Sequence, residues 1–205
     1  MSDITSTAWV SGVILAAGPS TRFGDRVPKQ LSRFDGEALV RRAARTALAS
    51  RLRQVLVVVG HEAATVGAVL AGLAVEVVDN PDYGEGQSTS VRAGLARVAP
   101  QAEAVLFLPV DQPLLSTGLI DRSISEFEIA GASVVVPTLE GRRRAPVLFS
   151  RALFARLAGI EGDEGGRQLL SQLAEEMITE IEVEDALELA DVDSLEELRD
   201  LRSSP

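Results

Sequence analysis

Three short stretches of this sequence hold groups from which chemistry could be built. The first is Gly18-Pro19-Ser20-Thr21-Arg22-Phe23-Gly24, with Arg26 and Lys29 just beyond it. Backbone N–H groups, two hydroxyls, guanidinium forks and one compact ammonium are the donors a polyphosphate takes. The loop is not a P-loop, because five residues separate its glycines and Asp25 follows, and there is no dinucleotide fingerprint. The second stretch is Asp111-Gln112-Pro113, directly after the apolar run AVLFLPV. A carboxylate at the tip of a buried strand suits Mg²⁺, which takes one or two protein carboxylates and fills its octahedron with phosphate and water oxygens. Capping of the next helix is the other reading of Asp111, although Ser116 or Thr117 can cap for itself. The third is Gly162-Asp163-Glu164-Gly165-Gly166-Arg167, where Asp163 is either a second metal ligand or an acid at a helix N-terminus. Arg142-Arg143-Arg144 reads as a clamp for an anionic second substrate or as solvated surface. His61, after Val59-Gly60, reads as a ligand contact or as a half-exposed cap.

The rest of the composition narrows the chemistry. The 205 residues contain no cysteine and one histidine, so thiolate metal sites, cysteine nucleophiles and multi-histidine centres are excluded. The net charge of −10 argues against a nucleic-acid-binding face. No apolar run is long enough to span a membrane, and the polar start MSDITSTA lacks a basic n-region. A cytoplasmic protein with neither nucleic-acid nor membrane partners is expected. Residues 161–205 carry fifteen acidic and three basic residues, which read as the solvated face of the terminal segment, with Asp163 its one site candidate. Nineteen cations are arginine and one, Lys29, is lysine.

The elements that must position these groups follow from hydropathy. Apolar, β-branched runs at 10–16, 55–59, 75–78, 104–110 and 133–137 read as buried strands. Amphipathic segments at 36–49, 62–72, 89–98 and 117–130 alternate with them as helices. That alternation predicts an α/β fold, a single Rossmann-like three-layer domain over 1–205 with a mostly parallel central sheet. Beyond it the sequence predicts a strand at 146–150, helices at 150–157, 166–176 and 194–201, and short strands at 178–183 and 186–189. Ligands of open α/β sheets bind beyond the carboxyl ends of the strands, where all the stretches above lie or lead.

These residues together resemble the MobA-like nucleotidyltransferases. ILAAGPSTRFG followed by PKQL is similar to their LAAGxSxRMG…K signature, and LPVDQPLL to their metal motif. NPDYGEGQSTSVRAGL is similar to their NPxxxxGxxxSLxxGL segment, and Val59-Gly60-His61 to their second strand end. PVLFSRALFARL, GDEGGRQLL and ADVDSLEEL resemble segments of the molybdenum cofactor cytidylyltransferase branch, with Arg144-Ala145 where that branch has Gly-His. The resemblance runs from about residue 13 to residue 198. It implies a nucleotide-diphospho-sugar transferase type of fold. It also implies transfer of a nucleoside monophosphate from an NTP to a phosphorylated small-molecule acceptor such as molybdopterin, with release of pyrophosphate. LAAG rather than LAGG implies CTP over GTP. Arg22 and Lys29 would be the catalytic cations. Ala16, Ala17, Gly18, Ser20, Gly60, Gly86, Ser88 and Ser90 would bind the nucleotide, and Asp111 and Asp163 would hold Mg²⁺. Two other readings are a nucleotide-binding regulator or carrier without catalysis and a sugar-phosphate nucleotidyltransferase.

Overall fold

Seven strands form the path of one sheet. β1 (Val10–Ala16) lies at its centre, and its alternation sends Val10, Ile14 and Ala16 to one face and Val13 and Ala17 to the other. The structure, a computed structural model, describes residues 8–19, 28–163 and 165–203. A hairpin of β2 (Arg33–Phe34) and β3 (Glu37–Ala38) leads into α1 (Leu39–Leu48). Then follow β4 (Gln54–Val59), α2 (Ala63–Leu70), β5 (Glu76–Asp79), α3 (Gln87–Leu95), β6 (Ala104–Pro109) and α4 (Thr117–Ala130). The second half has β7 (Val134–Leu139), β8 (Arg142–Arg143), β9 (Val147–Ser150), α5 (Phe154–Ala158) and α6 (Gly166–Leu170). It closes with β10 (Ile178–Glu182) and α7 (Leu195–Ser203).

The sheet order is β10-β7-β9-β6-β1-β4-β5, with β8 paired to β7 off this path. β1 pairs in parallel with both β4 and β6, so their carboxyl ends emerge on one edge. β9 is antiparallel to β6 and β7, which makes the sheet mostly rather than wholly parallel. One face packs under α1, α2, α4 and α7, through Leu39, Val66, Ile120 and Leu198 among others. The other packs under α3, α5 and α6, through Val91, Leu157 and Leu169. Continuous apolar strands are what a sheet covered on both faces requires. α3 sits close because Gly94 faces β1, where a Cβ would lie 2.5 Å from Val13 Cγ1.

Three expectations are corrected. The helix expected from residue 36 starts at Leu39, because Asp35 and Gly36 both take positive φ and turn the chain into the β2–β3 hairpin. Residues 186–189 form a 3-10 turn rather than a strand, with the Asp185 side chain accepting the Leu187 N–H at 2.9 Å. The helix expected over 166–176 ends at Leu170, where the Ser171 hydroxyl bonds back to the Gln168 carbonyl.

Candidate functional site

The carboxyl ends of β1 and β6 frame a cleft of about 420 Å³. Its floor is the chain leaving β1, from Leu15 through Pro19. That exit is pinned from the neighbouring strand, since the His61 N–H donates to the Ala17 carbonyl at 3.0 Å. Gln30, 1% exposed, donates its amide to the carbonyls of Gly18 and His61, both at 3.4 Å. Opposite stands the start of α3. Asn80 is buried, and its amide donates to Thr89 Oγ1 and Ser90 Oγ, each at 2.9 Å. Its carbonyl accepts the Asp82 N–H. A buried amide with its partners satisfied fixes a loop that otherwise has no regular structure.

One corner of this cleft concentrates charge. Lys29 Nζ lies 2.9 Å from Asp111 Oδ2 and 2.7 Å from Asp193 Oδ1. The lysine side chain is 13% exposed. Burial alone would lower its pKa, but the charges and hydrogen bonds of Asp111 and Asp193 outweigh that and raise it. Asp193 reaches the corner because the Val192 N–H donates to the Asp111 carbonyl at 2.9 Å, which runs the C-terminal segment along the end of β6. Gln112, 4% exposed, ties the same segment down by donating to Asp191 Oδ1 at 3.0 Å and to the Ala145 carbonyl at 3.3 Å. Loss of water and then the charge of Asp111 push the Asp191 carboxyl above the ordinary range, against the pull of Gln112 and Arg144.

A second cavity of about 510 Å³ opens on the other side of Asp111. Val147, Phe149, Phe107 and Leu170 give it an apolar wall, and Arg144, Asp191 and Asp193 line its charged end. Arg143 is taken up by Glu175 and Glu180. The Arg144 Nε is buried with no hydrogen-bond partner among the described residues.

The structure gathers most of the expected residues. Ala16, Ala17, Gly18, Lys29, Gly86, Ser90, Asp111 and Asp163 all line the cleft. Gly60 lies behind the ring of Tyr83, where a Cβ would come within 2.7 Å of that ring. The buried Ser88 faces an adjoining hollow with Arg92 and Gly162, and its N–H donates to the Gly162 carbonyl. Arg22 and Ser20 lie outside the described residues. His61 packs edge-on against Tyr83, their ring centroids 6.1 Å apart. Asp163 was the one site candidate expected from the acidic tail, and two further acids of that tail reach the site: Asp191 and Asp193 line the second cavity, and Asp193 pairs with Lys29. Gln30, Asn80, Gln112 and Asp193 were not singled out by residue type. The signal for Asp193 lay within the ADVDSLEEL resemblance, and that for Asn80 within NPDYGEGQS.

The donor set at the corner suits a hard cation. Two carboxylates, of Asp111 and Asp193, meet there around the Lys29 ammonium, and among the described residues no group of three or more acidic or histidine side chains could hold a metal on protein ligands alone. One or two protein carboxylates plus phosphate oxygens is the way Mg²⁺ is usually held.

The mostly parallel α/β sheet superposes on solved nucleotidyltransferases, and its fold is of the nucleotide-diphospho-sugar transferase type. The model of the MobA-like NTP transferase domain matches residues 12–177, and the chain belongs to that family of nucleotidyltransferases. It is 32% identical to the purine catabolism protein PucB of Bacillus subtilis, over 92% of this chain and 94% of that one. It is equally 32% identical to the nicotine blue oxidoreductase of Paenarthrobacter nicotinovorans, over 95% and 97%. A molybdenum cofactor guanylyltransferase of Ralstonia nicotianae is 29% identical, over 95% and 97%. Among solved structures, Rv0371c of Mycobacterium tuberculosis superposes with a TM-score of 0.84 at 29% identity, over 97% of this chain and all of that one. Its complex with manganese gives 0.81 at 28%, with the same coverage. No helix among the described residues is long and apolar enough to cross a membrane.

Proposed function

We propose that this nucleotidyltransferase moves CMP from CTP, with Mg²⁺, onto a phosphorylated small-molecule acceptor such as molybdopterin. The carrying observation is the corner of Asp111, Asp193 and Lys29, which stands between the nucleotide cleft and the second cavity. The manganese complex of Rv0371c supports a divalent ion. CTP rests on the LAAG resemblance, and the guanylyltransferase relative makes GTP the necessary comparison. The cytoplasm is the proposed compartment.

The chemistry asks little of side-chain acids or bases. A phosphate monoester is already ionised at neutral pH, so its oxygen can attack the α-phosphorus without a general base. A new P–O bond forms as the bond to the bridging oxygen of the β-phosphate breaks, and pyrophosphate leaves. Catalysis is then positioning and neutralisation of charge. Backbone at Ala16, Ala17 and Gly18 receives the nucleoside and phosphates, with Gly86 and Ser90 across the cleft. Gly60 and Ser88 support those walls, and the resemblance assigns Ser20 to the nucleotide. Lys29 and Arg22 stabilise the α-phosphate and the leaving pyrophosphate. Asp111 holds Mg²⁺, with Asp193 as its neighbour at the corner and Asp163 as the further carboxylate of the cleft. The ion supplies electrostatic stabilisation of phosphate oxygens when bound. Arg144, with its donor unspent, receives the acceptor phosphate.

The test is pyrophosphate release from CTP and from GTP with Mg²⁺ and a panel of phosphorylated acceptors. CTP should support release and Asp111→Ala should abolish it. Full activity in Asp111→Ala would overturn the metal assignment, and release from GTP alone would overturn the base.

A further inference from the structure

Three residues, Leu15, Gln87 and Asp111, line both the nucleotide cleft and the second cavity. On the reading proposed above, on which this inference rests, the triphosphate fills one compartment and the acceptor the other. In-line displacement puts the attacking oxygen, the α-phosphorus and the departing oxygen on one line. The α-phosphorus therefore lies where the compartments meet, within reach of the walls they share. Leu15 brings no polar group there. Asp111 is anionic and faces Lys29. Gln87 is the shared residue that offers a neutral hydrogen-bond donor.

Gln87 stands beside the chain at Gly165. It is the first residue of α3, exposed, with no side-chain hydrogen bond to another described residue. A Cβ on Gly165 would lie 2.6 Å from Gln87 Oε1 and 3.1 Å from its Cδ. Gly165 also takes a φ of +53°, so its backbone favours glycine, and a Cβ there would displace the Gln87 amide. One residue back, Gly86 has a φ of +115°, and a Cβ there would lie 2.7 Å from the Gly162 carbonyl oxygen. The Ser88 N–H donates to that same oxygen at 3.0 Å. Two chain segments thus meet face to face with no Cβ between them. The Gln87 amide lies beside Gly165, and its side chain lines both cavities.

We propose that Gln87 is a catalytic residue, its side-chain NH₂ donating to a non-bridging oxygen of the α-phosphate, and that Gly165 is its positioning residue. No proton moves. A fixed, neutral donor strengthens its hydrogen bond as charge gathers on those oxygens in the transition state. Gln87 neither adds a charge to the carboxylate corner nor competes with Lys29.

Phosphorothioates probe this contact. Replacing one non-bridging α-oxygen by sulfur weakens both a hydrogen bond and an Mg²⁺ contact at that position, so the change in the diastereomer ratio between wild type and variant is what reports Gln87. The affinities of the Rp and Sp α-thio forms of CTP and GTP, with Mg²⁺, are measured by titration calorimetry for wild type, Gln87→Ala, Gln87→Glu and Gly165→Ala. Gln87→Ala should shift the Rp-to-Sp affinity ratio by about threefold or more. Gln87→Glu keeps the shape and should bind both diastereomers more weakly than Gln87→Ala does. Gly165→Ala should shift the ratio in the same direction as Gln87→Ala. A merely structural role would weaken both diastereomers alike and leave the ratio where it was. Nucleotide binding with a ratio unmoved by Gln87→Ala overturns the assignment of Gln87 alone. A wild type that binds neither CTP nor GTP overturns the proposed function and this inference together.

Discussion

Lys29 explains why a chain with nineteen arginines keeps one lysine. A compact ammonium fits between two carboxylates at 2.9 and 2.7 Å, while a planar fork demands a wider, coplanar arrangement. The two carboxylates hold the pKa above 10.5, so the side chain stays cationic at neutral pH despite its burial. Lys29→Arg preserves the charge and should still lower the rate of pyrophosphate release about tenfold or more; a rate within twofold or so of wild type would show that charge alone suffices. The corner also ranks its acids. Asp193→Asn should weaken Mn²⁺ binding, followed by electron paramagnetic resonance in the presence of CTP, about tenfold or more. Asp163→Asn should change it by less than about threefold, and the reverse order would make Asp163 the second ligand. Asp111 was legible in the sequence because a carboxylate directly after AVLFLPV is a local pattern. Asp193 was not legible by type, because its place is set by the Val192-to-Asp111 hydrogen bond, a contact across some eighty residues of sequence. By residue type alone nothing separates it from the other acids of the tail, and only the ADVDSLEEL resemblance marks its segment.

The elements show the same division. Strands buried on both faces announce themselves as unbroken apolar runs, and β1, β4 and β6 were legible almost to the residue. The antiparallel insertion of β9 between β6 and β7 was not, since the direction of a buried strand leaves no mark on its hydropathy. The hairpin before α1 hid behind a helix-like pattern because a two-residue turn at Asp35-Gly36 is a backbone matter. Helix α4 is held to the core edge by Glu128, whose carboxylate accepts from the Arg51 guanidinium at 2.8 Å and from the Ala8 N–H at 2.9 Å. Partial loss of water opposes the charge, but the Arg51 and Ala8 hydrogen bonds outweigh it and hold the pKa below 4.5. The folded protein therefore binds this proton less readily than the unfolded chain does. The contribution is present above about pH 4.5 and is lost as pH falls through the lowered value. Glu128→Gln should cost about 1 kcal/mol by urea unfolding at pH 7, with the difference from wild type shrinking at pH 3. A difference independent of pH would remove the ion pair from the account.

At the scale of the molecule, the last segment completes the corner that the sheet begins. The match to the family model ends at residue 177, while Asp191 and Asp193 lie beyond it. Their segment is fastened by Leu189, Val192 and Leu198, which are 2%, 1% and 4% exposed. It is also held by a reciprocal cap at the start of α7, where the Asp193 N–H donates to Glu197 Oε2 and the Glu197 N–H to Ser194 Oγ. The stability of α7 and the position of Asp193 are therefore one property. Leu198→Ala removes a buried side chain that clamps the segment, and should cost about 2–5 kcal/mol by urea unfolding. Ligand binding should report the coupling. In wild type, CTP with Mg²⁺ at a hundred times its Kd should raise the unfolding free energy by about 2.7 kcal/mol, and chelation of the metal should remove most of it. At that same concentration Leu198→Ala should gain less, because a loosened α7 releases Asp193 and raises the Kd. Asp111→Ala should show almost no metal-dependent gain while its unfolding without ligand stays close to wild type. An equal ligand gain in Leu198→Ala and wild type would mean that the corner forms without α7, leaving the terminal helix to the fold alone.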